Sequence, residues 1–97
     1  MNNNIQIQKE DLKQILLTLI KKINTLDTTT IYLNKDLYWN IPYEELYNVY
    51  EEPKEITIGS IKEDLEFLQK INENREIISY DFIKISNILR VMSESIS

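Results

Sequence analysis

The chain has 97 residues, 16 acids, 11 bases, one glycine and neither cysteine nor histidine, for a net charge of −5. No disulfide framework, thiolate zinc site, thiol nucleophile or imidazole acid–base group is available. A single glycine excludes a phosphate-cradling loop, and the acidic balance disfavours direct nucleic acid or an anionic membrane as partner.

The opening MNNNIQIQKEDL has no basic region followed by an apolar run, so no signal peptide is expected. The longest apolar patch, Ile15 to Ile20, is closed by Lys21 and Lys22, far short of the roughly 20 residues that span a bilayer. A cytoplasmic protein of one domain, 1–97, is expected, with residues 1–6 and 94–97 frayed. From about 8 to 26 the spacing predicts a helix. Leu12, Ile15, Leu16, Leu19, Ile20, Ile23 and Leu26 form one stripe at steps of three and four. Asp27 and the β-branched Thr28, Thr29 and Thr30 predict its end.

Residues 31–41 read as an extended arm, because Leu37, Trp39 and Ile41 alternate with Tyr38 and Asn40. This is either a short strand or an ordered loop, and Ile56-Thr57-Ile58 is its candidate partner. Pro42 suits the first position of a short acidic helix over about 42–51. Tyr43, Leu46, Tyr47 and Tyr50 make one face, and Glu44, Glu45, Glu51 and Glu52 lie off it. Pro53 ends it.

The next helix is expected over about 57–72. Thr57 can cap it, with Ile56 and Ile61 as a hydrophobic staple; Ser60 with Glu63 forms the competing capping box. Ile61, Leu65, Leu68 and Ile71 are its apolar stripe, and Asn72-Glu73-Asn74 its stop. A last helix is expected over 79–93, capped by Ser79, with Phe82, Ile85, Ile88, Leu89 and Met92 inward. The predicted fold class is therefore all-α: a small bundle of three main helices, the short acidic helix and the arm.

Catalysis finds little support. The acid pairs Glu44-Glu45, Glu51-Glu52 and Glu63-Asp64 are neighbours in sequence, and adjacent helical residues do not face each other. They read as a solvated face rather than a carboxylate pair across a cleft. The serines lack a histidine partner, and Asn72 to Glu76 lacks the glycine of a calcium loop. The expectation is no enzyme, no cofactor, no metal.

Charge and rings concentrate in one place. Residues 36–66 hold nine acids against two bases, a net of −7, while the remainder of the chain is +2. Trp39 and four of the six tyrosines lie between positions 38 and 50. The bland reading makes the tyrosine face core, docking the short helix on the bundle, with Trp39 half-buried and its indole N–H satisfied. The functional reading makes the segment a protein-binding surface, with rings as rigid contact area and carboxylates as steering charge. Its candidate residues are Tyr38, Trp39, Tyr43, Glu44, Glu45, Tyr47, Glu51, Glu52 and Glu55.

The order Tyr38-Trp39, Ile41, Leu46-Tyr47, Glu52-Pro53, Thr57-Ile58-Gly59 and Asp64 resembles a family of small uncharacterised bacterial proteins. The resemblance spans about 30–92, including the closing SNILRVM. Ser60 departs from it, since the family tends to place Gln or Glu three residues after the threonine. Some members look like immunity proteins of interbacterial toxin systems, including contact-dependent growth inhibition. The resemblance thus implies a cognate toxin as partner, a basic nuclease domain being the expected kind. Alternatives are an adaptor or homodimerising scaffold, a tyrosine-lined pocket for a small molecule or peptide, and a nucleic-acid mimic that inhibits another enzyme.

Overall fold

The computed structural model describes residues 5–72 and 74–95. The chain divides into two compact units, Met1–Thr30 and Ile31–Ser97. The first contains helix α1 (Lys9–Asn24). Glu10 and Asp11 occupy its first turn and Lys21 and Lys22 its last, each sign opposing the partial charge of that helix end. The helix stops before the threonine run, at Thr25, whose hydroxyl donates to the Lys22 carbonyl at 2.6 Å and so satisfies a terminal acceptor. No residue of α1 is buried.

The second unit is not all-helical, which corrects the expected fold class. Leu37–Asn40 forms strand β1 and Thr57–Ser60 strand β2. They pair antiparallel, with Leu37 opposite Ser60, Tyr38 opposite Gly59, Trp39 opposite Ile58 and Asn40 opposite Thr57. The extended arm is thus a strand over its last part, and its partner lies one to two residues beyond the Ile56-Thr57-Ile58 candidate.

Between the strands runs α2 (Tyr43–Leu46), a single turn rather than the expected helix over 42–51. Its stop is local. The Asn48 side chain accepts the Tyr50 backbone N–H at 3.3 Å, an Asx-type turn that competes with helical bonding.

After β2 comes α3 (Ile61–Gln69), four residues later than the expected start at 57. Thr57 to Ser60 are held in the sheet, so Ser60 and not Thr57 is the cap, and its hydroxyl accepts the Glu63 N–H at 3.3 Å. A second cap comes from before β1. Asp36 Oδ1 accepts the Lys62 N–H and the Ser60 hydroxyl, both at 2.9 Å, and the Asp36 carbonyl accepts the Ile61 N–H at 2.8 Å. These bonds hold the Asp36 carboxyl below the ordinary range, the Lys62 N–H foremost. The helix ends at Gln69, short of 72. Of the Asn72-Glu73-Asn74 stop, Glu73 lies outside the described residues. Asn72 Oδ1 accepts the Asn74 N–H at 2.9 Å.

Helix α4 (Ser79–Ser95) completes the unit and packs on α3. Ser79 is its first helical residue, not its cap. Asp81, in the first turn, makes the return bond of a capping box: its carboxylate accepts the Ile78 N–H at 3.0 Å and the Arg75 guanidinium at 2.7 Å. The Arg75 bond and then the Ile78 N–H hold Asp81 below the usual carboxylate range. Arg75 and Lys84 also stand 5.7 and 5.9 Å from the Phe67 ring centre, within cation–π reach. Ile61 of α3 and Ile88 of α4 are the buried apolar side chains among the described residues. Glu94 and Ser95 are helical rather than frayed. The fraying expected at 1–4 and 96–97 lies outside the described residues.

Candidate protein-interaction surface

Strand alternation gives the β1–β2 hairpin two faces with different chemistry. Tyr38 and Gly59 share one, and Leu37, Trp39 and Ile58 share the other.

The Tyr38 face is bound into the fold. Its ring crosses over Gly59, where an added Cβ would overlap the ring's Cζ. Its hydroxyl donates to Asp64 Oδ2 of α3 at 2.5 Å. Asn87 Nδ2 of α4 donates to the same carboxylate oxygen at 3.1 Å and to the Tyr38 oxygen at 2.9 Å. Lys84 Nζ stands 2.9 Å from Asp64 Oδ1. Asp64 is 1% exposed, so these donors replace the water that a buried carboxylate would otherwise need. Burial and the adjacent Asp64 carboxylate push the Tyr38 phenol well above its usual value. Tyr38 remains a hydrogen-bond donor at neutral pH, and that donor is directed inward. Asp64 also departs from the sequence reading, which placed Glu63-Asp64 on a solvated face. It lies three residues after buried Ile61, on the inward side of α3.

The opposite face is open. Trp39 is 71% exposed, Leu37 66% and Ile58 65%. The indole N–H makes no protein hydrogen bond among the described residues. Trp39 is therefore neither half-buried nor satisfied by a side chain, contrary to expectation.

The tyrosine face of the short helix is not core either. Tyr43, Tyr47 and Tyr50 are exposed and Leu46 is half out. One turn of helix has too little face to dock, and Tyr50 falls beyond it. The Tyr43 and Tyr47 rings contact each other instead, 5.4 Å apart at a tilt of 57°.

The acids divide in the same way. Glu45 is partly buried, and its two carboxylate oxygens accept the N–H groups of Lys54 and Glu55 at 3.2 and 3.1 Å. It folds the 47–55 segment back towards α2. Glu44, Glu51, Glu52 and Glu55 are exposed. Among the described residues no Lys or Arg forms an ion pair with any of these five glutamates. A depression of about 90 Å³ is lined by Glu45, Asn48, Glu51, Glu52 and Lys54, well below the roughly 300 Å³ at which small-molecule pockets begin, and no tyrosine lines it. No group of three or more carboxylates among the described residues could hold a metal ion.

Sequence reasoning missed Leu37 and Ile58 on the open face, and Gly59, Lys84 and Asn87 on the closed one. The hairpin register places Leu37, Ile58 and Gly59, for which the sequence signal was one short run, Ile56-Thr57-Ile58; Lys84 and Asn87 come from α4, through its packing on α3. Among the described residues no helix is long and apolar enough to cross a membrane. No family model, curated protein or solved structure matches the chain.

Proposed function

We propose that this chain is an immunity-type protein, acting in the cytoplasm, that binds and neutralises a basic toxin domain, most simply a nuclease. The observation that carries this reading is the set of exposed, unneutralised glutamates (Glu44, Glu51, Glu52, Glu55) on the same segment as the exposed rings Trp39, Tyr43 and Tyr47. A nuclease cleft must be basic to hold phosphates, and a carboxylate surface is complementary to it. Such complementarity raises the association rate and rejects wrong partners. Aromatic anchors supply affinity, with truncation of a central one costing about 2 kcal/mol or more.

The test is co-expression with the product of the neighbouring gene, read as survival and as co-purification. Protection that survives charge reversal at Glu44, Glu51 and Glu52 would remove the electrostatic part of the proposal. Absence of any complex would remove the whole of it.

A further inference from the structure

We infer that the open face of the β1–β2 hairpin, Leu37, Trp39 and Ile58, is the apolar centre of a docking site for a cationic protein surface, with the glutamates of the 41–56 connection as its rim. The inference deepens the proposed function and rests on it for the identity of the partner. The closed face is filled by Tyr38, bonded to Asp64 and Asn87, so the hairpin cannot rotate that side outward without leaving Asp64 buried and short of a donor. Trp39 and Ile58 are directly opposed across the strands and both are exposed. Together with Leu37 they make a contiguous apolar strip on a scaffold held from behind.

Charge identifies the occupant. Glu44 and Glu45 follow β1 within five residues, and Glu55 precedes β2 by two. The Glu45 bonds to Lys54 and Glu55 tie the two sides of the connection together, so these acids gather at the end of the hairpin where the connection leaves it. A partner that covers the strip brings its own charge against them. A guanidinium satisfies both elements, since it stacks on an indole and pairs bidentately with carboxylates. Anionic lipid and nucleic acid are repelled by the same rim.

Trp39 is the chain's only tryptophan among six tyrosines, so fluorescence excited at wavelengths that tyrosine does not absorb reports this face alone. The whole protein is titrated with a synthetic arginine–leucine peptide, with a glutamate–leucine peptide as control. The expected result is solvent-exposed emission in the free protein and a saturable blue shift with the arginine peptide only. Replacing Leu37→Thr with Ile58→Thr, which keeps strand propensity, is expected to weaken the arginine peptide about tenfold. Glu10→Lys, on α1, is expected to change it by less than about twofold. Buried emission in the free protein overturns the inference. So does a dimer in sedimentation that shields Trp39, which makes a second copy the occupant. Peptide affinity that ignores Leu37 and Ile58 overturns it as well, leaving only unspecific charge attraction. If the threonine pair loses its helical circular dichroism, Ile58→Thr alone carries the comparison. Peptide binding as expected without toxin protection sinks the toxin reading and leaves the face. Toxin protection untouched by Trp39→Ala with Ile58→Thr sinks the face and leaves the toxin reading.

Discussion

Gly59 faces Tyr38 across the antiparallel pair, and the tyrosine ring fills the volume that a side chain at position 59 would need. Gly59 has no positive φ, so the glycine supplies space and not an unusual backbone. Through that space the Tyr38 hydroxyl reaches from β1 to α3. Gly59→Ala is expected to displace the ring and break its bonds to Asp64 and Asn87, destabilising the fold by about 2 kcal/mol. Urea unfolding measures it. The double variant with Tyr38→Ala should cost clearly less than the two single changes added together, because both disrupt one contact.

Tyr38→Phe keeps the ring and removes the donor to a buried carboxylate. The expected loss is about 2 kcal/mol, again by urea unfolding. The variant also alters alkaline behaviour. The folded state holds the phenol proton more tightly than the unfolded chain, whose value is near 10.0. The Tyr38 contribution is therefore complete below pH 10 and is lost as pH rises through the raised folded value. Stability should fall less steeply above pH 10 in Tyr38→Phe than in the parent. An absorbance titration should show one tyrosine resisting ionisation in the parent and its absence in the variant.

Lys84→Met leaves Asp64 buried beside two neutral donors and no cation. Removing one partner of a buried pair is expected to cost about 3 kcal/mol. Adding Asp64→Asn should recover part of that loss, because the uncompensated charge goes with it. A double-mutant cycle in urea reads the coupling.

The helices with long apolar periodicity were legible in the sequence. Helix α1 and helix α4 lie within a few residues of where their stripes place them. The hairpin was not. Its strands are four residues each, one holds the glycine, and sixteen residues with a helical turn separate them. Thr57 to Ser60 satisfied two descriptions, a helix entrance and a strand, and only pairing with Leu37 to Asn40 decides between them. The two-turn helix at 42–51 failed because the Asn48 side chain takes the Tyr50 N–H, which a continuing helix would give to the Leu46 carbonyl. The consequence for the candidate site is specific. Sequence placed Tyr38 and Trp39 together on a binding surface, yet alternation sends Tyr38 inward and Trp39 outward. Asp64 read as surface because it follows another acid. Its partners Tyr38 and Lys84 are 26 and 20 residues away, and no local pattern joins them.

Asp36→Asn tests the cap that β1's flank places on α3. The carboxylate's folded value is depressed below the ordinary 3.8, so its contribution is present above that value and is lost as pH falls through the folded one. The variant should melt at a lower temperature than the parent at neutral pH. The gap should close as pH drops from about 5 to about 2. Thermal circular dichroism across that window checks it, and a gap independent of pH would assign the loss to something other than the carboxylate charge.

Trp39→Ala removes an exposed ring from the open face and should leave stability within about 0.5 kcal/mol of the parent. This contrasts with its neighbour Tyr38, and the pair of urea curves separates the two faces of the hairpin.

The most direct measurement is calorimetric titration of the whole protein with the purified product of the neighbouring gene, at about 0.05 M and 0.3 M salt. The expected result is a complex that weakens at the higher salt and is lost in the Trp39→Ala variant carrying Glu51→Lys and Glu52→Lys, while Tyr38→Phe, where folded, still binds. No complex, or one indifferent to salt and to those three residues, would contradict a basic toxin docking on this surface.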